Sequence, residues 1–122
     1  MRAQMVTHSH WSDIPAERVT PFITRRFVSG DRVTVARFQL KRGGVVPRHS
    51  HDAEQVTCVL TGSLRFVMDG QELVATAGDV VQIPSGVEHE VHVVEDTEVI
   101  DAFSPVRQDW IDRTDDYFRR NQ

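Results

Sequence analysis

The 122-residue sequence has a single cysteine, no run of lysine or arginine longer than two and no long apolar stretch, and each absence removes a class of function. With Cys58 alone, no internal disulfide and no thiolate metal cluster can form, so Cys58 is expected to pack as a small apolar side chain. Fourteen basic and eighteen acidic residues leave a net charge of -4, with no cationic cluster to follow a phosphate backbone. Nucleic acid is therefore not expected as a partner. The roughly 20 consecutive apolar residues of a membrane span do not occur, and residues 1–11 lack the apolar middle of a secretory signal. A soluble, cytoplasmic protein without a membrane partner is expected.

A hydrophobic content of 39% with 26% charge, in a chain of this length, suits one core. Short segments rich in Val, Ile, Phe and Thr recur at Val33 to Leu40, Gln55 to Leu60, Ser63 to Met68, Glu72 to Ala75, Val80 to Ile83, His89 to Val94 and Glu98 to Phe103. Between them stand turn-permissive pairs such as Thr61-Gly62, Asp69-Gly70 and Ala77-Gly78. This spacing predicts an all-β sandwich or barrel. Residues 1–20 are polar and are expected to form an N-terminal arm, with residues 21–122 as the single domain. In the tail, Trp110, Ile111, Tyr117 and Phe118 recur at near-helical spacing, which predicts a short helix or turn over the barrel. Strand parity places His49, His51, Gln55, Thr57 and Val59 on one face, and Val99, Asp101 and Phe103 together on another strand.

Two stretches carry the chemistry. In the first, Gly43 is followed after five residues by His49-Ser50-His51, then by Gln55, and after six more by Gly62. Two histidines one residue apart on an extended strand project the same way, which suits adjacent positions on one metal. In the second, Gly78 is followed after five residues by Pro84-Ser85-Gly86 and then by His89. Together these resemble the two motifs of the cupin superfamily. The resemblance covers about residues 33 to 104 and implies a double-stranded β-helix, or jelly-roll, barrel holding one divalent metal ion at His49, His51, Gln55 and His89. The family's usual carboxylate ligand falls on Gln55, as in cupins carrying His-x-His-x-x-Glu-Gln, and Glu54, of opposite parity, is the alternative. Three imidazoles and a neutral amide leave the full double charge on the ion, favouring Lewis-acid work on oxygen atoms. Zinc, nickel, manganese and iron(II) all suit such ligands.

Downstream, Asp101-Ala102-Phe103-Ser104-Pro105-Val106-Arg107-Gln108-Asp109-Trp110 resembles a segment of the small cupins of pectin and alginate breakdown. Those proteins open 4,5-unsaturated uronates to linear 5-keto-4-deoxyuronates, and the resemblance implies active-site roles for Asp101, Phe103 and Arg107. The chemistry agrees: an inward Asp101 suits an acid or base, Arg107 could grip a substrate carboxylate through both prongs of its guanidinium, and Phe103 offers a wall to a sugar ring. Structural readings stay open beside these, namely an Asp101–Arg107 salt bridge and Phe103 as core.

The expected function is thus a metal-dependent small-molecule enzyme acting on a carboxylated, sugar-derived substrate. Two other readings stay open, an iron-dependent dioxygenase and a non-catalytic ligand-binding barrel. An open sheet edge and the N-terminal arm make a homodimer the expected assembly. His8 and His10 lie in the polar terminus, outside both stretches, and His92 has the parity opposite to His89. Glu88 and Glu90 are expected to be solvated, whereas Arg65 and Gln82 could face either the cavity or the surface.

Overall fold

In a computed structural model, which describes residues 5–119, the chain builds eight strands. They are β1 (Glu17–Thr20), β2 (Ile23–Ser29), β3 (Thr34–Leu40), β4 (Val45–His49), β5 (Glu54–Met68), β6 (Gln71–Thr76), β7 (Val80–Ile83) and β8 (His89–Ser104). They pair antiparallel in the order β1-β2-β3-β8-β5-β6, with β4 added to β8 and β7 to β5. The fold is the all-β jelly-roll barrel expected from the sequence.

The two long strands organise this barrel. Each was expected as two shorter ones, broken at Thr61-Gly62 and at Glu95-Asp96-Thr97, but neither break is a hairpin. The β5–β8 register shifts between Val59 and Leu64, so those turn-permissive residues form an irregularity inside continuous strands. Gly62 makes this possible: its φ is +92°, and a Cβ there would collide with Asp96 O and Thr97 Oγ1. Beyond the irregularity the strands change partners. The first half of β5 pairs with β7 and the second with β6, while the first half of β8 pairs with β4 and the second with β3. That exchange curls one sheet around a common interior.

Three strands were not expected from the sequence. Glu17–Thr20, assigned above to the N-terminal arm, pairs with β2 as β1, so the arm is shorter than 20 residues. Before it, Trp11–Asp13 makes one 3-10 turn capped by His10 Nδ1, which gives that histidine a local structural role. In β2 the inward positions Ile23, Arg25 and Phe27 include a charge, which hid the apolar alternation. Arg25 is 1% exposed, yet it pairs with Glu17 at 2.7 Å and Asp115 at 3.1 Å and lies over the ring of Trp110. Buried charge is tolerated here because it is paired. The third is β4, which carries Val46 and Pro47 into the interior just before His49.

The tail folds over one end of the barrel as a short helix, α1 (Gln108–Ile111), and a 3-10 turn at Tyr117–Arg119. Trp110, Tyr117 and Phe118 are buried as expected, but Ile111 is 45% exposed. Trp110 packs edge-on to Phe27, Phe38 and Phe103, so one indole ties the tail to β2, β3 and β8. No helix among the described residues is long and apolar enough to cross a membrane.

Candidate metal centre

The cross-strand register builds the site. Opposite pairs along β5 and β8 are Gln55 with Phe103, Thr57 with Asp101, and Val59 with Val99, all six buried. His49 at the end of β4 pairs with His89 at the start of β8, and His51 follows in the loop leading to β5. Strand register therefore gathers polar side chains of β4, β5 and β8 into one cavity, otherwise walled by Phe38, Leu40, Leu64, Phe66 and Val99.

His49, His51 and His89 present ligand atoms that all lie within 4.8 Å of one another. Each imidazole is oriented by backbone two residues away. Nδ1 of His49 meets Pro47 O at 2.8 Å, Nδ1 of His51 meets Ala53 O at 2.7 Å, and Nδ1 of His89 meets Val87 O at 2.9 Å. A carbonyl only accepts, so in each case Nδ1 carries the proton and Nε2 keeps a lone pair for the site. Burial is the main reason all three resist protonation, pushing His49 down to about 3, His51 to about 4 and His89 below its ordinary value. Neutral imidazoles with free Nε2 atoms are the form that binds metal.

Gln55 completes the set. Its Nε2 donates to Thr57 Oγ1 at 2.9 Å, which turns Oε1 toward His51 Nε2 at 3.1 Å. With the Nδ1 proton of His51 engaged elsewhere, this contact sets two lone pairs face to face, an arrangement that a cation between them relieves. The donor set thus fits a divalent ion with N/O preference. Glu54, the alternative ligand, is exposed and on the outer face.

Asp101 is 7% exposed, and its Oδ1 has no hydrogen-bond partner among the described residues. Burial raises its pKa to about 6, although Thr57, Arg107 and Gln55 favour ionisation. The Asp101–Arg107 salt bridge considered above does not form. Arg107 instead donates from Nε and Nη2 to the carboxylate of Asp109, at 3.0 and 2.8 Å, and from Nη2 to Tyr117 Oη at 2.9 Å. This corrects the two-pronged grip expected for Arg107: its fork is occupied, and only Nη1 remains for a ligand. Phe103 lines the cavity but meets His51 edge-on, with centroids 5.6 Å apart, so it backs the His51 ring as much as it walls the space.

The remaining candidates lie outside. His92 pairs with Glu90 on the outer face, Arg48 with Glu88, and Arg65 with Glu72, while Gln82 is exposed. One cavity residue was read from the sequence as packing alone. Tyr117 stacks on His49 with centroids 4.2 Å apart and planes 17° apart. Being the single tyrosine, in a tail otherwise rich in Asp and Arg, is its only signal.

Comparison with known proteins agrees with this geometry. No curated protein matches the chain. Among solved structures it is similar to KdgF from Halomonas sp., at 26% identity and TM-score 0.76, covering 81% of this chain and 94% of that one. An RmlC-like cupin from Shewanella frigidimarina is similar at 26% identity and TM-score 0.80, covering 88% and 97%. The polyketide cyclase RemF from Streptomyces resistomycificus is similar at 26% and 0.70, covering 83% and 80%. The family model for the cupin domain matches residues 36–103, more than half of the sequence, from within β3 to within β8. The chain belongs to the cupin family.

Proposed function

We propose that the protein is a metal-dependent enzyme acting on a carboxylated, sugar-derived small molecule, and that it opens 4,5-unsaturated uronates to linear 5-keto-4-deoxyuronates. One observation carries this reading: a buried carboxylate with an unpartnered oxygen, Asp101 Oδ1, shares a cavity with His49 and His89, whose ligand atoms cluster with that of His51. A structural Asp101 would be paired, because an isolated buried charge is costly. The nearby guanidinium is bound to Asp109 instead, which leaves Asp101 for chemistry. Resemblance of residues 101–110 to the pectin-breakdown cupins supports the substrate class.

A divalent ion held by His49, His51, Gln55 and His89 supplies Lewis acidity toward a substrate oxygen. The protein's own groups have a limited task, because the conversion moves one proton and needs no co-reactant. The anomeric hydroxyl loses its proton and becomes the C1 aldehyde while the bond from C1 to the ring oxygen breaks. Its electrons stay on that oxygen, giving an enolate at C5, which gains a proton at C4 and becomes the ketone. Asp101 Oδ1 takes the first proton and returns it to C4. Arg107 Nη1 donates a single hydrogen bond to the substrate carboxylate, with Asp109 holding the guanidinium in place. The proposal includes association of two copies through the open edge of β1, which a monomeric mass in solution would remove.

The test is turnover of unsaturated galacturonate and guluronate monomers by metal-reconstituted protein, followed as loss of absorbance from the conjugated double bond. Rapid loss that disappears in His49→Ala and Asp101→Asn is expected. No loss with zinc, nickel, manganese or iron would overturn the reading.

A further inference from the structure

Tyr117 has an oxygen that the fold explains and a proton that it does not. A phenol has two lone pairs and one donor. Arg107 Nη2 at 2.9 Å and Trp110 Nε1 at 3.2 Å both meet Tyr117 Oη, and both groups can only donate. They occupy its lone pairs, and no described residue accepts the hydroxyl proton in return. The side chain is 8% exposed and lines the cavity that holds His49, His89 and Asp101. A buried donor without an acceptor costs free energy that a ligand oxygen would recover.

We infer that Tyr117 is a substrate-contacting residue whose hydroxyl donates a hydrogen bond to an oxygen of the small ligand bound beside His49. The inference rests on the reading that this cavity takes an oxygen-rich ligand, but not on the reaction. The other hydroxyl in the cavity, Thr57, accepts the Gln55 amide and hydrogen-bonds to the Asp101 carboxylate, so Tyr117 is the hydroxyl donor of the two without an acceptor. Its place is fixed from three sides. The ring is stacked between His49 and Phe118, with centroids 4.2 and 4.3 Å away. The oxygen is held by Arg107 and Trp110. The tail segment before it is tied to β2 by the Arg25–Asp115 pair at 3.1 Å. Packing alone would be served as well by phenylalanine, and accepting two donors accounts for the oxygen only.

Because the chain has one tyrosine, full-length zinc-loaded protein labelled with 13C at the tyrosine ζ carbon gives a single reporter signal. The probes are galacturonate, which has the ring and carboxylate but no double bond to consume, and acetate. A saturable shift of the Cζ signal is expected with at least one of them. Tyr117→Phe is expected to weaken that probe by about tenfold, the worth of one hydrogen bond, with zinc content unchanged. Binding that leaves the Cζ signal unmoved, or equal affinity in Tyr117→Phe, overturns the inference. The shift is read in unmutated protein, so a variant that fails to fold does not rescue the idea. A Cζ shift without turnover of unsaturated uronates sinks the proposed reaction and keeps Tyr117; binding of neither probe overturns the Tyr117 inference, and turnover alone decides the reaction.

Discussion

The cavity has two halves built by different means. On the strand side, His49, Gln55, Thr57, His89 and Asp101 owe their positions to register, His51 sits in the loop between β4 and β5, and each histidine is fixed by a carbonyl two residues away. On the tail side, Arg107, Trp110 and Tyr117 are held by side chains reaching other side chains: Arg25 to Asp115, Arg107 to Asp109, and two donors to one phenol. A site set by backbone periodicity is local and tolerant of surface change. A site set by side-chain anchors depends on a few residues distant in sequence, and losing one of them should leave the other half intact.

The sharpest way to separate the halves is to remove a ligand. His49→Ala or His89→Ala should abolish tight zinc binding, measured by competition with a chromophoric chelator, while the circular dichroism of the barrel is unchanged. Retained affinity in either variant would mean that the strand half is not the metal site.

Next in size is the tail anchor. Arg25→Met removes a buried cation lying between Glu17 and Asp115 and should cost roughly 3–5 kcal/mol in urea unfolding, as expected for breaking a buried pair. Zinc affinity of the folded variant should change by less than about threefold, since no ligand touches Arg25. A large loss of metal affinity would show that the two halves are coupled.

A smaller effect, with a pH signature, belongs to Asp101. In the metal-free protein its carboxyl ionises at about 6 instead of its ordinary 3.8. Below 3.8 it is protonated whether folded or unfolded, and no cost arises. As pH rises through 6 the folded state must ionise a buried group, so wild-type stability falls relative to Asp101→Asn. The gap should reach roughly 3 kcal/mol at pH 7, because each tenfold weakening of the acid by burial is worth about 1.4 kcal/mol. The buried histidines act with the opposite sign, losing stability as pH falls below 6.5, but they are common to both proteins and cancel in the difference. Parallel stability curves would place Asp101 in a solvated or paired environment. Smallest of all, Arg65→Ala on the outer face breaks only an exposed pair with Glu72 and should change stability by less than about 0.5 kcal/mol, with no effect on metal.

The same contrast explains what could be read in advance. The inward-facing set was legible because parity along a strand is a sequence property: Gln55 and not Glu54 faces inward, and Asp101 and Phe103 share the inner face. β7 was read with its observed ends, since Val80 to Ile83 lies between two clear turns. β5 and β8 were split because Gly62 reads as a hairpin turn, while only the fold shows Asp96 and Thr97 crowding it within a continuous pair of strands. β2 was missed because an inward arginine breaks the apolar alternation, and its partner Asp115 lies 90 residues away. For the same reason Arg107 was aimed at a ligand: nothing in the spacing shows that Asp109 and Tyr117 claim its fork.

The most direct measurement is X-ray absorption at the zinc edge of the zinc-loaded protein. Scattering from three imidazoles with additional oxygen ligation, falling to two imidazoles or to no bound zinc in His89→Ala, is the predicted result. Fewer than three imidazoles in the wild type, or an unchanged spectrum in His89→Ala, would contradict a single centre shared by His49, His51, Gln55 and His89.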